Sequence, residues 1–573
     1  MHDVVIRAGT IVDGSGRERF TGDIAIDGDR LVQVGGKAGP GRREVDAEGR
    51  LVAPGWIDVH THYDGQATWD PLLAPSSWHG ATTVLFGNCG VGFAPCRPED
   101  RDALIDLMEG VEDIPGAVLA EGLSWEWESF PDYLDALERL PRAIDVAAQV
   151  PHHPLRVYVM GERALRRESA RADDIARMRS LVEQGLMAGA FGFTTSRTIQ
   201  HRTVGGAPVP GFHAQNEELL GIGEALGRTG RGAYGMLIDF VDEEGEFDWI
   251  RQQARDQGRP IWFLLTDRLN DPQRWQRLMA RVSAARAEGL PVAAQVPCRP
   301  VGLILGLVTS LTPFNARPTF AALSDLEPAE RLARLRDPEV RKAILSESPA
   351  EDLVDLIQEQ HRHTTSRWDR LYVLGDPPNY EPEPERSISY MAAKAGCEPD
   401  AYAYDYLVGG DGGRTLFFPV TNYVSGDLEP TRKMMMDSGT LIGLSDGGAH
   451  YGVICDASMP TFLLTHWARD RTRGPQLPLE WLVKRQTADN ADFFGFKDRG
   501  RLAVGMRADV NVIDHDVLRL HPPEIIRDLP AGGRRLVQRV DGYAMTLVAG
   551  QPILEAGEHT GALPGRLVRN GKR

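Results

Sequence analysis

The chain has 573 residues, of which 42% are hydrophobic and 25% charged, with a formal net charge of −17. Its length exceeds one ordinary domain, and its composition is that of a folded globular protein, not a disordered one. An acidic surface disfavours nucleic acid and anionic membranes as partners.

Five cysteines stand at 89, 96, 298, 397 and 455. Their odd count and wide spacing argue against a disulfide framework. The N-terminus MHDVVIRAGTIVDGSG shows no basic segment followed by an apolar one, and no run of about 18 apolar residues occurs anywhere. The expected location is therefore a reducing cytoplasm.

In chain order, residues 4–16, 23–35 and 43–55 alternate short apolar runs with Gly and Asp turn signals, the pattern of short β-strands. From about 55 to 497 the rhythm changes. Apolar runs such as ATTVLFGNCG (81–90), AFGFTTSRT (190–198), RPIWFLLTD (259–267) and GTLIGLSDGG (439–448) alternate with helical stretches at 98–110, 172–189 and 216–230. That alternation predicts a parallel sheet, open or closed into a barrel. Residues 300–430 break it with a polar helical run and the Pro-rich GDPPNYEPEPE, and read as a long insertion in one strand-to-helix loop. Such loops build the catalytic face of a barrel. The insertion could serve as a lid or as a homo-oligomer interface, and nothing in the sequence chooses. The C-terminal segments 499–518 and 535–554 return to short strands. The predicted organisation is one small β domain from both ends, 1–54 plus 498–573, around a domain spanning 55–497.

The strongest chemical signal is WIDVHTHYD (56–64). Strand side chains alternate, so Asp58, His60 and His62 share one face, and two imidazoles there can reach a single metal. A second apolar strand ends in Ser-Asp-Gly-Gly, placing Asp446 where a carboxylate can ligate a metal and accept a proton from water. His450 follows four residues later as a substrate contact. Cys89 ends a third apolar strand between glycines. A thiolate there could bind zinc, although a free buried Cys is commonly inert. His152 follows a further strand-like run. Arg197, His201 and Arg202 lie in a polar loop that could hold a substrate carboxylate. No HExxH, CxxC pair, P-loop or Gly-x-Ser-x-Gly elbow occurs.

Together these motifs resemble the amidohydrolase superfamily, and within it the N-acyl-D-amino-acid deacylase (D-aminoacylase) family. VAPGWIDVHTHYDGQ is similar to the family's metal-binding first barrel strand, and GATTVLFGNCGVGFAPCRP to its second-strand motif. LIGLSDGGAH is similar to its eighth strand, and DRGRLAVGMRADVNVID to its return into a β-sandwich. The resemblance implies a (β/α)8 TIM barrel with a small β-sandwich domain. It implies Cys89 as a zinc ligand and Asp446 as metal-bound general base. It also implies one Zn2+ (or another divalent metal) and hydrolysis of a small acyl-amide by activated water.

The chain departs from the family at two points. The family's histidines on strands five and six are missing from GAYGMLIDF (232–240) and RPIWFLLTD (259–267), and no lysine occurs between 38 and 341. Three readings follow. The metal sits at His60, His62 and Asp446 with Cys89 nearby, or Asp239 or Asp267 replaces the imidazoles, or the chain is a non-catalytic, weakly metal-binding relative. Hydrolysis of a cyclic amide or lactone is a further alternative within the superfamily.

Overall fold

The computed structural model describes residues 1–348 and 367–571. His361 and His363, expected in loop-like sequence, fall outside the described residues.

Both chain ends contribute to one nine-stranded sheet. The N-terminal strands are β1 (His2–Ile11), β2 (Phe20–Asp27), β3 (Arg30–Val34), β4 (Gly41–Asp46) and β5 (Leu51–Pro54). β1 pairs antiparallel with β2 and parallel with β4 and β5. The short alternating runs bury one side, with Val4, Ile6, Ile24, Ile26 and Val52 in a shared core with Val510, Val512 and Leu547 from the far end of the chain.

The middle of the chain carries parallel strands. β6 (Trp56–Asp58), β7 (Ala81–Phe86) and β8 (Asp145–Ala148) form one sheet. β9 (Val150–Pro151), β10 (Gly192–Arg197), β11 (Ala233–Ile238), β12 (Ile261–Leu264), β13 (Val292–Val296) and, later, β17 (Thr440–Ile442) form another. Only Gln149 separates β8 from β9. Parallel neighbours need crossovers, and helices such as Ala172–Ala188, Asn216–Thr229, Glu243–Gln257 and Arg274–Ala287 supply them. The strands are buried on both faces, which is why they read as continuous apolar runs. Beyond the ends of β6 and β17, His62 N–H donates to Gly447 O (2.8 Å) and Asp446 N–H to His60 O (3.1 Å), so the first and last strands meet at their C-terminal tips.

The described residues of the stretch read as a loop insertion, 300–348 and 367–430, form a folded unit. β14 (Gly302–Gly306) and β15 (Tyr372–Val373) flank β16 (Thr415–Pro419) in an antiparallel sheet. Leu303, Leu305, Phe320, Leu335, Tyr404 and Leu416 fill a core of its own.

After β18 (Val510–Ile513), β19 (Arg519–Arg527) and β20 (Arg534–Asp541) form a separate two-stranded sheet. This hairpin packs toward the site instead of joining the terminal sheet: Leu536 N–H donates to Tyr451 O (2.7 Å). β21 (Tyr543–Val548), β22 (Gln551–Glu555) and β23 (Glu558–His559) then complete the nine strands.

Candidate metal centre

His60 and His62 lie just past the end of β6, not within it. Asp58, at the strand's last position, holds the turn from below. One carboxylate oxygen accepts from His60 N–H (3.3 Å) and the other from the Ser445 hydroxyl, which tethers β6 to the loop after β17. Burial pushes Asp58 up to about 7.

Cys89 is set by the turn after β7. Gly87 takes φ 79°, and a Cβ there would stand 2.2 Å from Gln149 O, so only glycine fits. Asn88 pins the turn through its amide, donating to Thr61 O (3.1 Å) and Leu85 O (2.9 Å) and accepting from Gln149 (2.9 Å). Cys89 (φ 55°), Leu444 (φ 79°), Asp446 (φ 47°) and His450 (φ 56°) all occupy the left-handed region. Such strain gathers where surrounding structure over-determines a functional loop.

One donor atom from each of His60, His62 and Cys89 lies within 4.8 Å of the others. Cys89 Sγ is 3.4 Å from His60 Nε2. Asp446 Oδ1 is 3.7 Å from His60 Nε2 and 3.5 Å from His62 Nε2. A tetrahedral site with bonds of about 2.0–2.3 Å has edges of roughly 3.3–3.8 Å, so these spacings suit zinc. His60 Nδ1 donates to Gln295 Oε1 (2.5 Å), which leaves Nε2 with a free lone pair. Trp262 meets the His60 ring edge-on at 5.7 Å.

The electrostatics fit a cation. Burial lowers His60 to about 4 and His62 to about 3, so both rings are neutral, as ligation requires. Burial, then Glu112, Asp446 and Asp64, push the Cys89 thiol well up. Burial also raises Asp446, opposed by His60 and His450, and raises Glu112 strongly, with Asp446 adding to it. Buried acids that resist ionisation beside neutral imidazoles are relieved by a divalent ion, which deprotonates a coordinating thiol outright.

Glu112 ends the helix Arg101–Glu112, whose Leu104, Leu107, Met108 and Val111 form the buried stripe. Its Oε1 is 3.4 Å from His62 Nδ1 and its Oε2 3.6 Å from His450 Nε2. Its carbonyl accepts from His450 N–H (2.5 Å). His450 Nε2 also stands 3.8 Å from Asp446 Oδ2. Sequence reasoning passed over both Glu112 and Gln295.

The outer candidates divide. His201 senses the imidazoles of His62, His450 and His60, which with burial lower it to about 3. His152 is fully buried with both ring nitrogens taken, by Thr195 (2.7 Å) and Glu218 (2.9 Å). Arg197 is bound by Glu246, Asn216 and the Ala214 carbonyl, and Arg202 by the carbonyls of Ile199 and Gly206. Both guanidiniums thus have contacts within the protein, while Arg197 Nε has no hydrogen-bond partner among the described residues. Asp239 is occupied by Thr198, Ile199 and Arg268. Asp267 accepts from Val424 N–H (3.3 Å). Neither belongs to the His60–His62–Cys89 cluster found among the described residues; Asp446 stands outside that cluster too, but within 3.7 Å of both Nε2 atoms. An open pocket of about 450 Å3 lies at the ends of β10 and β11, with Arg197, Asn216 and Asp239 in its wall, and the metal-centre residues are not part of its lining.

The sequence profile of the amidohydrolase family matches residues 43–554. This chain belongs to the amidohydrolase family. D-aminoacylase of Alcaligenes xylosoxydans xylosoxydans is 26% identical over 574 residues, covering 99% of this chain and 97% of that protein. N-acyl-D-glutamate deacylase of the same organism is 29% identical over 532 residues, covering 90% and 88%. Among solved structures, a D-aminoacylase described with a binuclear metal centre is 24% identical with a TM-score of 0.65 over all of both chains. N-acyl-D-glutamate deacylase from Bordetella bronchiseptica, complexed with zinc and a phosphonate inhibitor, is 24% identical with a TM-score of 0.65 over 99% of each. These likenesses place the fold among the TIM-barrel-like α/β proteins.

Proposed function

We propose that this chain hydrolyses the amide of an N-acyl-D-amino acid or a related acylated small molecule, with His60, His62 and Cys89 holding one zinc and Asp446 beside them as ligand and general base. The observation that carries this is the cluster of one donor atom each from His60, His62 and Cys89 past the ends of β6 and β7, with Asp446 Oδ1 reaching Nε2 of His60 (3.7 Å) and of His62 (3.5 Å) from the loop after β17. A divalent metal there supplies Lewis-acid polarisation of the amide carbonyl and a more acidic water.

The residues do the rest. Gln295 holds the His60 imidazole by a hydrogen bond, and Glu112 stands 3.4 Å behind Nδ1 of His62, so that Nε2 of each is turned to Asp446. Asp446 takes the proton of the attacking water and passes it to the leaving nitrogen as the C–N bond breaks. His450, about one-fifth exposed and 3.8 Å from Asp446, reaches the substrate. His201 joins it there, while His152, Arg197 and Arg202 support the surrounding loops through their internal contacts.

The fold reading is consistent with this. Eight strand segments, counting β8 and β9 as one, close into a barrel through the His62–Gly447 and His60–Asp446 backbone bonds. Residues 1–54 and 498–573, apart from the β19–β20 hairpin, supply the small β domain, and 300–430 is inserted on the catalytic side. Among the described residues no helix is long and apolar enough to cross a membrane. Five free cysteines and a net charge of −17 favour a reducing cytoplasm and a small-molecule partner over nucleic acid.

A panel of N-acyl-D-amino acids, N-acyl-L-amino acids, cyclic imides and lactones, run with zinc-loaded and chelator-treated protein, tests the proposal. Zinc-dependent turnover of the N-acyl-D set is expected. Turnover only of cyclic imides or lactones, or none that depends on metal, would contradict it.

A further inference from the structure

A chain of hydrogen bonds leads from the backbone beside Cys89 to His201 and sets the proton of its ring. Gly211 N–H donates to His153 Nδ1 (3.1 Å). A ring nitrogen that accepts carries no hydrogen, so the proton of this buried, neutral ring is on Nε2. That Nε2–H meets Ser196 Oγ at 2.9 Å. Ser196, fully buried near the end of β10, also faces His201 Nδ1 at 3.0 Å. The hydroxyl has two lone pairs and one proton; if it accepted from both rings its buried O–H would have no acceptor among its hydrogen-bond contacts, whereas donating to His201 Nδ1 satisfies it and leaves the proton of His201 on Nε2.

The relay is anchored to the metal loop. His153 N–H donates to Gly90 O (2.9 Å), next to Cys89. Gly90 takes φ 74°, and a Cβ there would stand 2.9 Å from Thr195 Cα and 3.2 Å from His153 Nε2, so the two segments pack at glycine distance. The His201 ring lies within electrostatic reach of His62, His450 and His60. A neutral ring suits that position, because an imidazolium would be repelled by a divalent cation.

We infer that His201 is a preset hydrogen-bond donor whose Nε2–H serves the carbonyl oxygen of the substrate, with Ser196 and His153 as positioning residues that fix its tautomer. The inference rests on the amide-hydrolase reading above. When the water oxygen bonds to the carbonyl carbon, the π pair moves onto the carbonyl oxygen while Asp446 takes the water proton. The His201 hydrogen bond strengthens as that charge develops, and no proton leaves the ring. Collapse returns the pair and breaks the C–N bond, whose electrons leave on the nitrogen as it takes the proton held by Asp446.

Two readouts test it on the zinc-loaded full chain. In 15N-histidine NMR, with signals assigned by His153→Gln and His201→Gln, both rings are expected as Nε2–H tautomers. Ser196→Ala should leave His201 a mixture, and Ser196→Thr, which keeps the hydroxyl, should restore one form. In kinetics, His201→Ala should lower kcat on the order of 10²-fold with little change in KM. It should also weaken a phosphonate analogue of the tetrahedral state in similar proportion and leave the zinc content unchanged. A His201 Nδ1–H tautomer, or His201→Ala with wild-type kcat and phosphonate affinity, would overturn the inference. Wild-type protein inert to every amide would instead sink the hydrolase reading, and the tautomer spectrum would still decide the relay.

Discussion

Glu112 Oε1 stands 3.4 Å from Nδ1 of His62, while the other nitrogen of that ring faces Asp446 Oδ1 at 3.5 Å. A carboxylate behind a ligating imidazole fixes its orientation and raises its basicity, and losing such a partner typically costs about 10–100-fold in metal affinity. Glu112→Ala should therefore weaken zinc binding by about that factor in a chelator competition, and Glu112→Gln by less. Unchanged affinity in both would remove Glu112 from the centre.

Cys89 Sγ lies 3.4 Å from His60 Nε2. Cobalt-substituted wild-type protein should show a sulfur-to-metal charge-transfer band in the near ultraviolet, and Cys89→Ser should lose it together with much of its metal. An identical spectrum in the variant would make Cys89 a bystander.

The motif-bearing parts of the centre were legible in the sequence because each stands at the end of an apolar run: His60 and His62 after β6, Cys89 after β7, Asp446 after β17. Their partners carry no such mark. Glu112 follows Val111 on an amphipathic helix, where a glutamate reads as a solvated face, yet the left-handed Asp113 ends the helix and leaves Glu112 buried against His62. Gln295 is one polar residue inside VAAQV, and only the tertiary fold brings it to His60. His152 and His153 are adjacent. Which of them joins the relay depends on where the helix His152–Met160 begins, and periodicity does not resolve single positions there. The hairpin of β19 and β20 has the alternation of a sandwich strand, and its separate pairing is a tertiary choice.

A buried ion cluster at the other end of β8 makes a stability prediction. Asp145 Oδ2 lies 2.6 Å from Arg499 Nη1 and 3.1 Å from Arg507 Nε, and Asp145 Oδ1 accepts from Arg566 N–H (2.7 Å). All three side chains of the cluster, Asp145, Arg499 and Arg507, are buried. Asp145→Ala leaves two guanidiniums with Asp509 as the remaining buried partner, at a cost of about 3–5 kcal/mol. Denaturant unfolding measures it. A loss below about 1 kcal/mol would contradict the cluster's role, and turnover per folded molecule should be unchanged.

His79 gives a pH prediction independent of the metal. Its Nε2 donates to Gln538 O and its Nδ1 accepts from Thr461 Oγ1, both at 3.0 Å, and burial lowers it to about 3. Between about 3 and the unfolded value near 6.5, the unfolded chain holds a proton that the folded chain does not. Stability from this group is therefore full above about 6.5 and falls as pH drops, by about 1.4 kcal/mol per unit. His79→Gln should flatten the wild-type stability curve by that slope between about pH 4 and 6. Parallel curves would show that His79 does not stay neutral in the fold.

Zinc K-edge X-ray absorption of the purified full chain tests the metal centre most directly. The account predicts one sulfur at about 2.3 Å and nitrogen or oxygen neighbours at about 2.0–2.2 Å, with imidazole scattering that disappears, along with amide hydrolysis, in His60→Ala. A zinc shell without sulfur, or protein that retains no metal and still cleaves its substrate, would contradict it.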